Sequence, residues 1–152
     1  MMDLGFKIKV FEAAKVIISE KIEFAMKAMQ AAQEAANTEE KSSMGDKYET
    51  GRAMSQLAKD MNAKQMLAFQ NELDHLKKLS PNLPFKIAQS GALVQTEQGW
   101  FYIAAAIGLV MVDGTKIMVL SPESPLGKAL AGKKSGNFYE INGRKLKIQA
   151  IF

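Results

Sequence analysis

The chain has 152 residues, 47% of them hydrophobic and 24% charged, which is typical of a soluble globular domain with or without an extended element. It contains no cysteine and one histidine, which excludes disulfides, thiol catalysis and zinc sites built from cysteine. The net charge of +4 lies entirely in residues 84–152, with 8 basic and 4 acidic residues against 12 and 12 in residues 1–83. A positive charge in this part of the chain suits binding to an acidic protein surface or to a nucleic acid, and it is also how many proteins stay soluble.

The chain begins MMDLGFKIK, which lacks a signal-peptide core, and no apolar run approaches the ~20 residues of a membrane span. We therefore expect a cytoplasmic protein without a membrane partner. Residues 7–37 predict one long helix that ends at Asn37 and Thr38, because good helix formers dominate and neither Gly nor Pro interrupts them. Its apolar residues alternate at spacings of four and three, which indicates a coiled-coil seam that Phe11 and Ala14 extend upstream. The seam consists of Ile18, Ile22, Ala25, Met29, Ala32 and Ala36.

A second helix is predicted over residues 47–79, with apolar residues again largely at spacings of three and four. These are Met54, Leu57, Met61, Leu67, Phe69, Leu73 and Leu76. Two long helices joined by a short turn pack antiparallel, so residues 1–80 are expected to form a coiled-coil hairpin in a monomeric protein. His75 lies in a charged stretch and is expected to be exposed.

Residues 42–52, SSMGDKYETGR, form the predicted tip of this hairpin. Asp46 and Glu49 stand three residues apart where the second helix begins, so the two positions share one helix face. Two carboxylates so placed can offer oxygens to one Mg²⁺. The same spacing is also that of a capping box, in which each side chain accepts a hydrogen bond from a backbone N–H. The residues alone leave both interpretations open.

Pro81 and Pro84 forbid a continued helix and mark a domain boundary. Beyond them the pattern changes to β-strands, and turn residues predict hairpins around Gln98-Gly99, Asp113-Gly114 and Asn142-Gly143. The predicted strands cover residues 92–97, 100–106, 109–112, 116–120, 138–141 and 144–151.

One helix interrupts these strands. Ser124 is a good N-cap, Pro125 fits the first helical position and Gly132 fits the C-terminal cap. The neighbouring aromatic residues of the second strand could line a ligand groove, but core and surface-strand positions explain them better. They are Trp100, Phe101 and Tyr102.

Residues 121–136, SPESPLGKALAGKKSG, followed by FYEI and RKLKIQAI, resemble the C-terminal signature of the Gre family of bacterial transcript-cleavage and elongation factors. In that family the segment forms the helix and turn of a small FKBP-like β-domain behind a helical hairpin. Family members also carry G-D-x-x-E at the start of the second helix, and GDKYE at residues 45–49 is similar. Where familiar members read roughly GDLSENAEY, this chain reads GDKYETGR, so the residues around the two carboxylates differ.

The resemblance covers most of the chain and implies an α+β fold, with the antiparallel coiled-coil hairpin over residues 1–80 and an FKBP-like antiparallel β-domain over residues 84–152. It also implies a function at RNA polymerase. The β-domain would dock on the outside of the enzyme, and the hairpin would enter its secondary channel. Docking residues are expected in the matching segment, namely Ser124, Pro125, Lys128, Lys133 and Lys134.

The tip would then act on backtracked RNA. The resemblance makes Asp46 and Glu49 the catalytic and metal-binding residues, which would hold a Mg²⁺ shared with the polymerase while water attacks the transcript. Lys47, Tyr48 and Arg52 would contact the nascent RNA or the polymerase. The polymerase supplies most of such a site, so the chain would be an accessory factor and not a freestanding enzyme.

Two other functions are compatible with the residues. A channel-occupying regulator would bind the polymerase without stimulating cleavage. An FKBP-like peptide-binding or prolyl-isomerase module with a helical arm would use the strand aromatics and leave the tip carboxylates without a role.

Overall fold

The computed structural model describes the backbone of residues 4–40 and 45–152 and the side chains of residues 4–38 and 51–152. Two long helices come first, α1 at Leu4–Glu40 and α2 at Gly45–Lys77. Helix α1 continues through Asn37 and Thr38, where we predicted its end. Both polar side chains find partners on the helix itself: Gln33 Nε2 donates to Asn37 Oδ1 at 3.1 Å, and Thr38 Oγ1 donates to the carbonyl of Glu34 at 3.0 Å.

The two helices form the predicted antiparallel hairpin. Lys59 Nζ donates to Gln33 Oε1 at 2.5 Å, and the Lys21 ammonium lies 5.9 Å from the centroid of the Phe69 ring. Later residues of α1 thus meet earlier residues of α2. The seam predicted on α1 is confirmed, because all its members are buried or half-buried.

The seam predicted on α2 is partly wrong. Four of its members have more than half of their surface exposed: Met54, Leu57, Met61 and Leu67. The other three predicted members, Phe69, Leu73 and Leu76, are half-buried or buried, and they share the less exposed face of α2 with Ala58, Asn62 and Met66. Asn62 can occupy a half-buried position because its Nδ2 donates to the carbonyl of Ala58 at 2.9 Å. The apolar residues of α2 therefore fall on two faces, and only one of them meets α1.

Six strands follow the hairpin and form one sheet in the order β3-β4-β2-β1-β6-β5. Their bounds are Leu93–Thr96 (β1), Gly99–Ile103 (β2), Gly108–Val112 (β3), Thr115–Leu120 (β4), Phe138–Ile141 (β5) and Arg144–Ile151 (β6). The fold is α+β, as predicted. The sheet is not wholly antiparallel, however, because β2 and β4 pair in parallel. The chain runs from β2 to the edge strand β3, and the β3–β4 hairpin returns it beside β2 in the direction in which β2 runs.

The three predicted hairpins are confirmed, since β1–β2, β3–β4 and β5–β6 pair antiparallel across them. At two of these turns both central residues have positive φ, which is why Asp-Gly and Asn-Gly stand there: Asp113 (50°), Gly114 (77°), Asn142 (51°) and Gly143 (76°). Between β4 and β5 lies a short helix, α3, at Pro125–Leu130.

Contacts divide the chain into two compact units, one of residues Ile18–Asn71 and the other of Met1–Ile17 with Glu72–Phe152. The sequence-based boundary at residues 80–84 thus differs from this division, which falls inside both long helices. In the second unit the Phe6 and Trp100 rings meet edge-to-face at 5.6 Å, and the N–H of Ala106 donates to Glu72 Oε2 at 2.7 Å. No helix in the described part of the chain has the length and apolar character needed to cross a membrane.

An apolar core lies between α3 and one face of the sheet. It is built from small residues of the chain before β1 and from inward residues of the strands and α3. Its buried members are Ala88, Ala92, Val94, Phe101, Ile103, Leu120, Leu130, Tyr139, Leu146 and Ile148. This packing holds the segment before and after α3 in a defined position.

Candidate functional site

The tip carboxylates belong to the first turn of α2. Helix α2 is described from Gly45, two residues before the predicted start, and its backbone is helical at both Asp46 and Glu49. Acidic residues are favourable in this turn because the helix dipole places positive charge there. The side chains of Asp46 and Glu49 lie outside the described residues, so capping and metal binding both stay predictions.

Lys47 and Tyr48 also lie outside the residues whose side chains the structure describes. Arg52 is described and is exposed on α2, three residues after Glu49. Its position on the helix is compatible with the contact role expected of it.

The predicted docking segment is centred on α3, and Ser124 has a structural role there. Ser124 Oγ accepts a hydrogen bond from the N–H of Gly127 at 3.1 Å and donates to the carbonyl of Ser121 at 2.7 Å. It is therefore the N-cap that we predicted, with Pro125 at the first helical position. This cap explains Ser124 without any partner protein.

Gly127 lets α3 pack directly on the loop that precedes it. A Cβ at this position would lie 2.4 Å from the carbonyl oxygen of Ser121 and 2.8 Å from that of Pro122. Both oxygens belong to the backbone and cannot swing aside. The close approach fixes the loop at residues 121–124 against the helix.

The basic residues expected to dock lie on and after α3. Lys128 and Lys134 are exposed and Lys133 is half-buried. The carbonyl of Lys133 accepts from the N–H of Ala88 at 2.8 Å, and the N–H of Lys134 donates to Asn137 Oδ1 at 2.9 Å. The backbone is thus anchored, and the side chains of Lys128 and Lys134 are turned to the surface. Gly132, with φ of +78°, makes the turn between them as its predicted place at the helix end requires.

A groove of about 260 Å³ adjoins this segment. Its wall includes Glu72, His75, Lys78, Ser90, Ser121 and Glu123. His75 is exposed, as predicted. Among the residues that the structure describes, no group of three or more His, Asp or Glu side chains could hold a metal ion. The groove presents both charge signs and hydroxyls, which suits a polar partner surface.

Two buried ionisable side chains have features that the sequence did not predict, the burial of Lys7 and a Tyr102 hydroxyl without a partner in the described part of the chain. Lys7 is fully buried, its Nζ donates to the carbonyl of Leu83 at 2.6 Å, and it lies 4.5 Å from the centroid of the Phe85 ring. Burial lowers the pKa of Lys7 from 10.5 to about 8. The sequence does contain a signal for this burial, because Lys7 stands four residues before Phe11 and so occupies the next position of the α1 seam.

Tyr102 is the second. Its ring is fully buried, its hydroxyl has no hydrogen-bond partner among the described residues, and burial raises its pKa. Of the three strand aromatics, Phe101 and Tyr102 are buried and Trp100 is half-buried against Phe6 and Phe152. Packing therefore accounts for most of their surface, as predicted.

Comparisons of the chain with protein-family models, with curated proteins and with solved structures find no match.

Proposed function

We propose that this protein is a Gre-like elongation factor that binds RNA polymerase and stimulates cleavage of backtracked RNA. One observation carries the proposal. The two long helices α1 and α2 form a hairpin, and α2 opens with GDKYE, so that Asp46 and Glu49 belong to the start of α2. A sheet with one short helix follows, in the element order that the resemblance implies.

Asp46 and Glu49 would hold a Mg²⁺ at the tip. Two carboxylates are the oxygen ligands that Mg²⁺ takes, and this ion commonly completes its shell with water and phosphate, so the free protein should bind it weakly. When bound, the ion would polarise phosphate and activate water. The chain's own part is to place two negative charges on one helix face and to bring them to the transcript, while Lys47, Tyr48 and Arg52 contact RNA or polymerase.

The segment around α3 would dock on the polymerase. Residues 84–152 carry a net positive charge, which supports docking on an acidic surface of the polymerase. Lys128 and Lys134 are exposed beside the anchored loop and could contact such a surface. Pro125 is exposed as well and adds a rigid apolar contact. Affinity for polymerase should fall with rising salt, because exposed charge pairs are screened.

The experiment compares Asp46→Asn and Glu49→Gln with wild type in a cleavage assay on backtracked polymerase. Each variant removes one charge and keeps the side-chain shape, so we expect most of the stimulation to be lost while polymerase binding and the melting temperature stay nearly unchanged. Glu34→Gln is the matched control, because Glu34 is an exposed acid on α1 and should be as active as wild type.

Two results would change the proposal. If both tip variants stimulate cleavage fully, the carboxylates only stabilise the helix end, and the metal role is wrong. If wild type binds polymerase but never stimulates cleavage, the protein is the channel-occupying regulator instead.

A further inference from the structure

Strand β3 ends the sheet, and its outer edge is open. In the order β3-β4-β2-β1-β6-β5 it pairs with β4 alone, and no other strand of the described chain lies beside it. Val110 and Val112 are buried on one face, whereas Leu109 and Met111 are 53% and 56% exposed on the other. An open edge thus adjoins an uncovered apolar surface.

The backbone groups at this edge are available for pairing. In a two-residue hairpin the pair that flanks the turn is hydrogen-bonded, and bonded and non-bonded pairs alternate along the ladder. Val112 faces Thr115 at the turn, and Val110 faces Ile117. The N–H and C=O groups of Leu109 and Met111 therefore point away from β4, towards the open edge.

The two edges of the sheet differ in how they are protected. Proteins usually guard an edge strand with charge or proline, because an unprotected edge pairs with other chains. The edge strand β5, FYEI, carries Glu140, and its partner β6 begins with Arg144 and Lys145. Strand β3, GLVMV, carries neither charge nor proline. Only the β3 edge lacks a charge of its own that would oppose strand addition.

A cavity of about 290 Å³ opens on the same surface. Its wall includes Gln98, Trp100, Phe101, Leu109, Lys116 and Met118. Lys116 is its one charged residue and makes no ion pair with any residue that the structure describes. The nearby Asp113 is already paired, since Lys9 Nζ lies 2.9 Å from its Oδ2. The cavity therefore favours an apolar ligand that brings a carboxylate.

We propose that β3 binds an extended peptide segment of a partner protein as an added strand, with apolar side chains over Leu109 and Met118 and a carboxylate at Lys116. Main-chain hydrogen bonds would supply affinity, and the cavity would supply specificity. A second copy of this chain fits less well, because its own β3 brings no carboxylate to Lys116. The proposal does not depend on the function at the hairpin tip, and it uses neither α3 nor the tip.

The test selects peptides on the intact wild-type protein from a displayed library of random peptides about ten residues long, longer than an average strand. We expect selected peptides to alternate apolar residues and to contain Asp or Glu. Met111→Pro removes an N–H at the open edge and keeps the ladder to β4, so it should weaken binding about tenfold, as expected for one lost hydrogen bond. Leu109→Glu removes an apolar contact and places a negative charge beside the carboxylate that Lys116 would bind, so it should weaken binding at least as much.

The matched control is Phe138→Glu, which places the same charge on the other edge strand, at a residue that is 49% exposed. It should bind the selected peptides as wild type does. Bound peptide should also slow hydrogen exchange at the Leu109 and Met111 amides, which contact with the sheet face alone would not do. Failure to select peptides, or equal binding by wild type, Met111→Pro and Leu109→Glu, would overturn the proposal. So would a wild-type dimer that Leu109→Glu dissociates.

Discussion

Two tyrosines in the same sheet have opposite hydrogen-bonding status. The Tyr139 hydroxyl donates to Thr96 Oγ1 at 3.0 Å, and Thr96 Oγ1 also accepts from the N–H of Gln98 at the β1–β2 turn. The Tyr102 hydroxyl is equally buried and has no partner among the described residues. A buried hydroxyl stabilises a fold when it is bonded and destabilises it when it is not.

We therefore expect the two Tyr→Phe variants to differ in sign. Tyr139→Phe should lower the free energy of unfolding by about 1 kcal/mol, because it removes a buried hydrogen bond. Tyr102→Phe should be at least as stable as wild type. Urea denaturation of each variant measures the difference, and each variant is the control of the other because the atom removed is the same. A clear loss of stability in Tyr102→Phe would mean that its hydroxyl has a partner.

Lys7 is the residue that couples stability to alkaline pH. Its folded pKa of about 8 lies below its ordinary value of 10.5, so the charged form is disfavoured by folding. Below pH 8 the folded and the unfolded chain both hold the proton, so the full cost of burying the charged ammonium lowers the stability of the fold. Between pH 8 and 10.5 the unfolded chain holds a proton that the folded chain has released, so stability rises with pH.

Lys7→Met should remove this rise, because methionine fills a similar volume and does not titrate. From pH 8 to 10.5 the stability of wild type relative to the variant should increase by on the order of 3 kcal/mol, at ~1.4 kcal/mol for each pKa unit. Unfolding by urea across this pH range tests it, and comparing the two proteins cancels the titration of the other lysines and tyrosines. Parallel stability curves for wild type and variant would contradict the assignment.

At the scale of elements, α3 shows how one glycine sets the position of a helix. Helix propensity alone predicts that Gly127→Ala gains about 1 kcal/mol. The structure predicts the reverse, since the new Cβ would lie 2.4 Å from the Ser121 carbonyl oxygen. We expect a net loss of about 1–3 kcal/mol, the usual cost of overpacking.

Thermal unfolding of Gly127→Ala measures this loss. The control is Lys128→Ala on the exposed side of the same helix, which should change stability by no more than about 0.5 kcal/mol. A raised melting temperature for Gly127→Ala would show that α3 can move away from the loop at residues 121–124.

Local signals account for the elements that could be predicted. The hairpins follow from neighbouring residues alone, because Asp113-Gly114 and Asn142-Gly143 can adopt the positive φ that their turns require. Helix α3 also follows from its own residues, because Ser124 is a good N-cap and Pro125 fits the first helical position. The parallel pairing of β2 with β4 depends on where β3 lies, which no local pattern contains. The exposed face of α2 was missed because Met54, Leu57 and Met61 repeat at the same spacings as a seam.

Of the two candidate sites, the hairpin tip could likewise be predicted from neighbouring residues, whereas the cavity at Lys116 could not. Asp46 and Glu49 stand three residues apart in the sequence, so their spacing and the resemblance suffice to predict a site there. The cavity at Lys116 joins residues of three strands, and it could not be recognised before the strand order was known. Lys7 could have been found by extending the α1 seam, but a charged residue at a seam position is easily assigned to the surface.

At the scale of the whole molecule, residues 84–152 should not form a stable domain alone. The sheet unit includes Met1–Ile17 and the end of α2. Phe6 packs on Trp100, Lys9 pairs with Asp113, and Glu72 accepts from Ala106. A fragment that starts at residue 84 loses these partners and exposes the sheet face that they cover.

We expect this fragment to melt without a cooperative transition and to give a poorly dispersed amide NMR spectrum, whereas the full chain melts cooperatively. Circular dichroism and NMR of the two proteins under the same conditions test this. A sharp transition in the fragment near that of the full chain would show that the sheet folds without the helices, as the boundary at residues 80–84 implies.

The division of the chain into units also sets an order for its synthesis. Residues Ile18–Asn71 form a compact unit of their own, which can fold as soon as all of it has left the ribosome. The first turns of α1 cannot, because Phe6 meets Trp100, Trp100 stacks on Phe152 at 6.0 Å, and β6 pairs with β1. Until β6 has been translated, the nascent chain therefore carries a completed hairpin whose first turns expose Phe6, Val10 and Phe11, a surface to which chaperones bind.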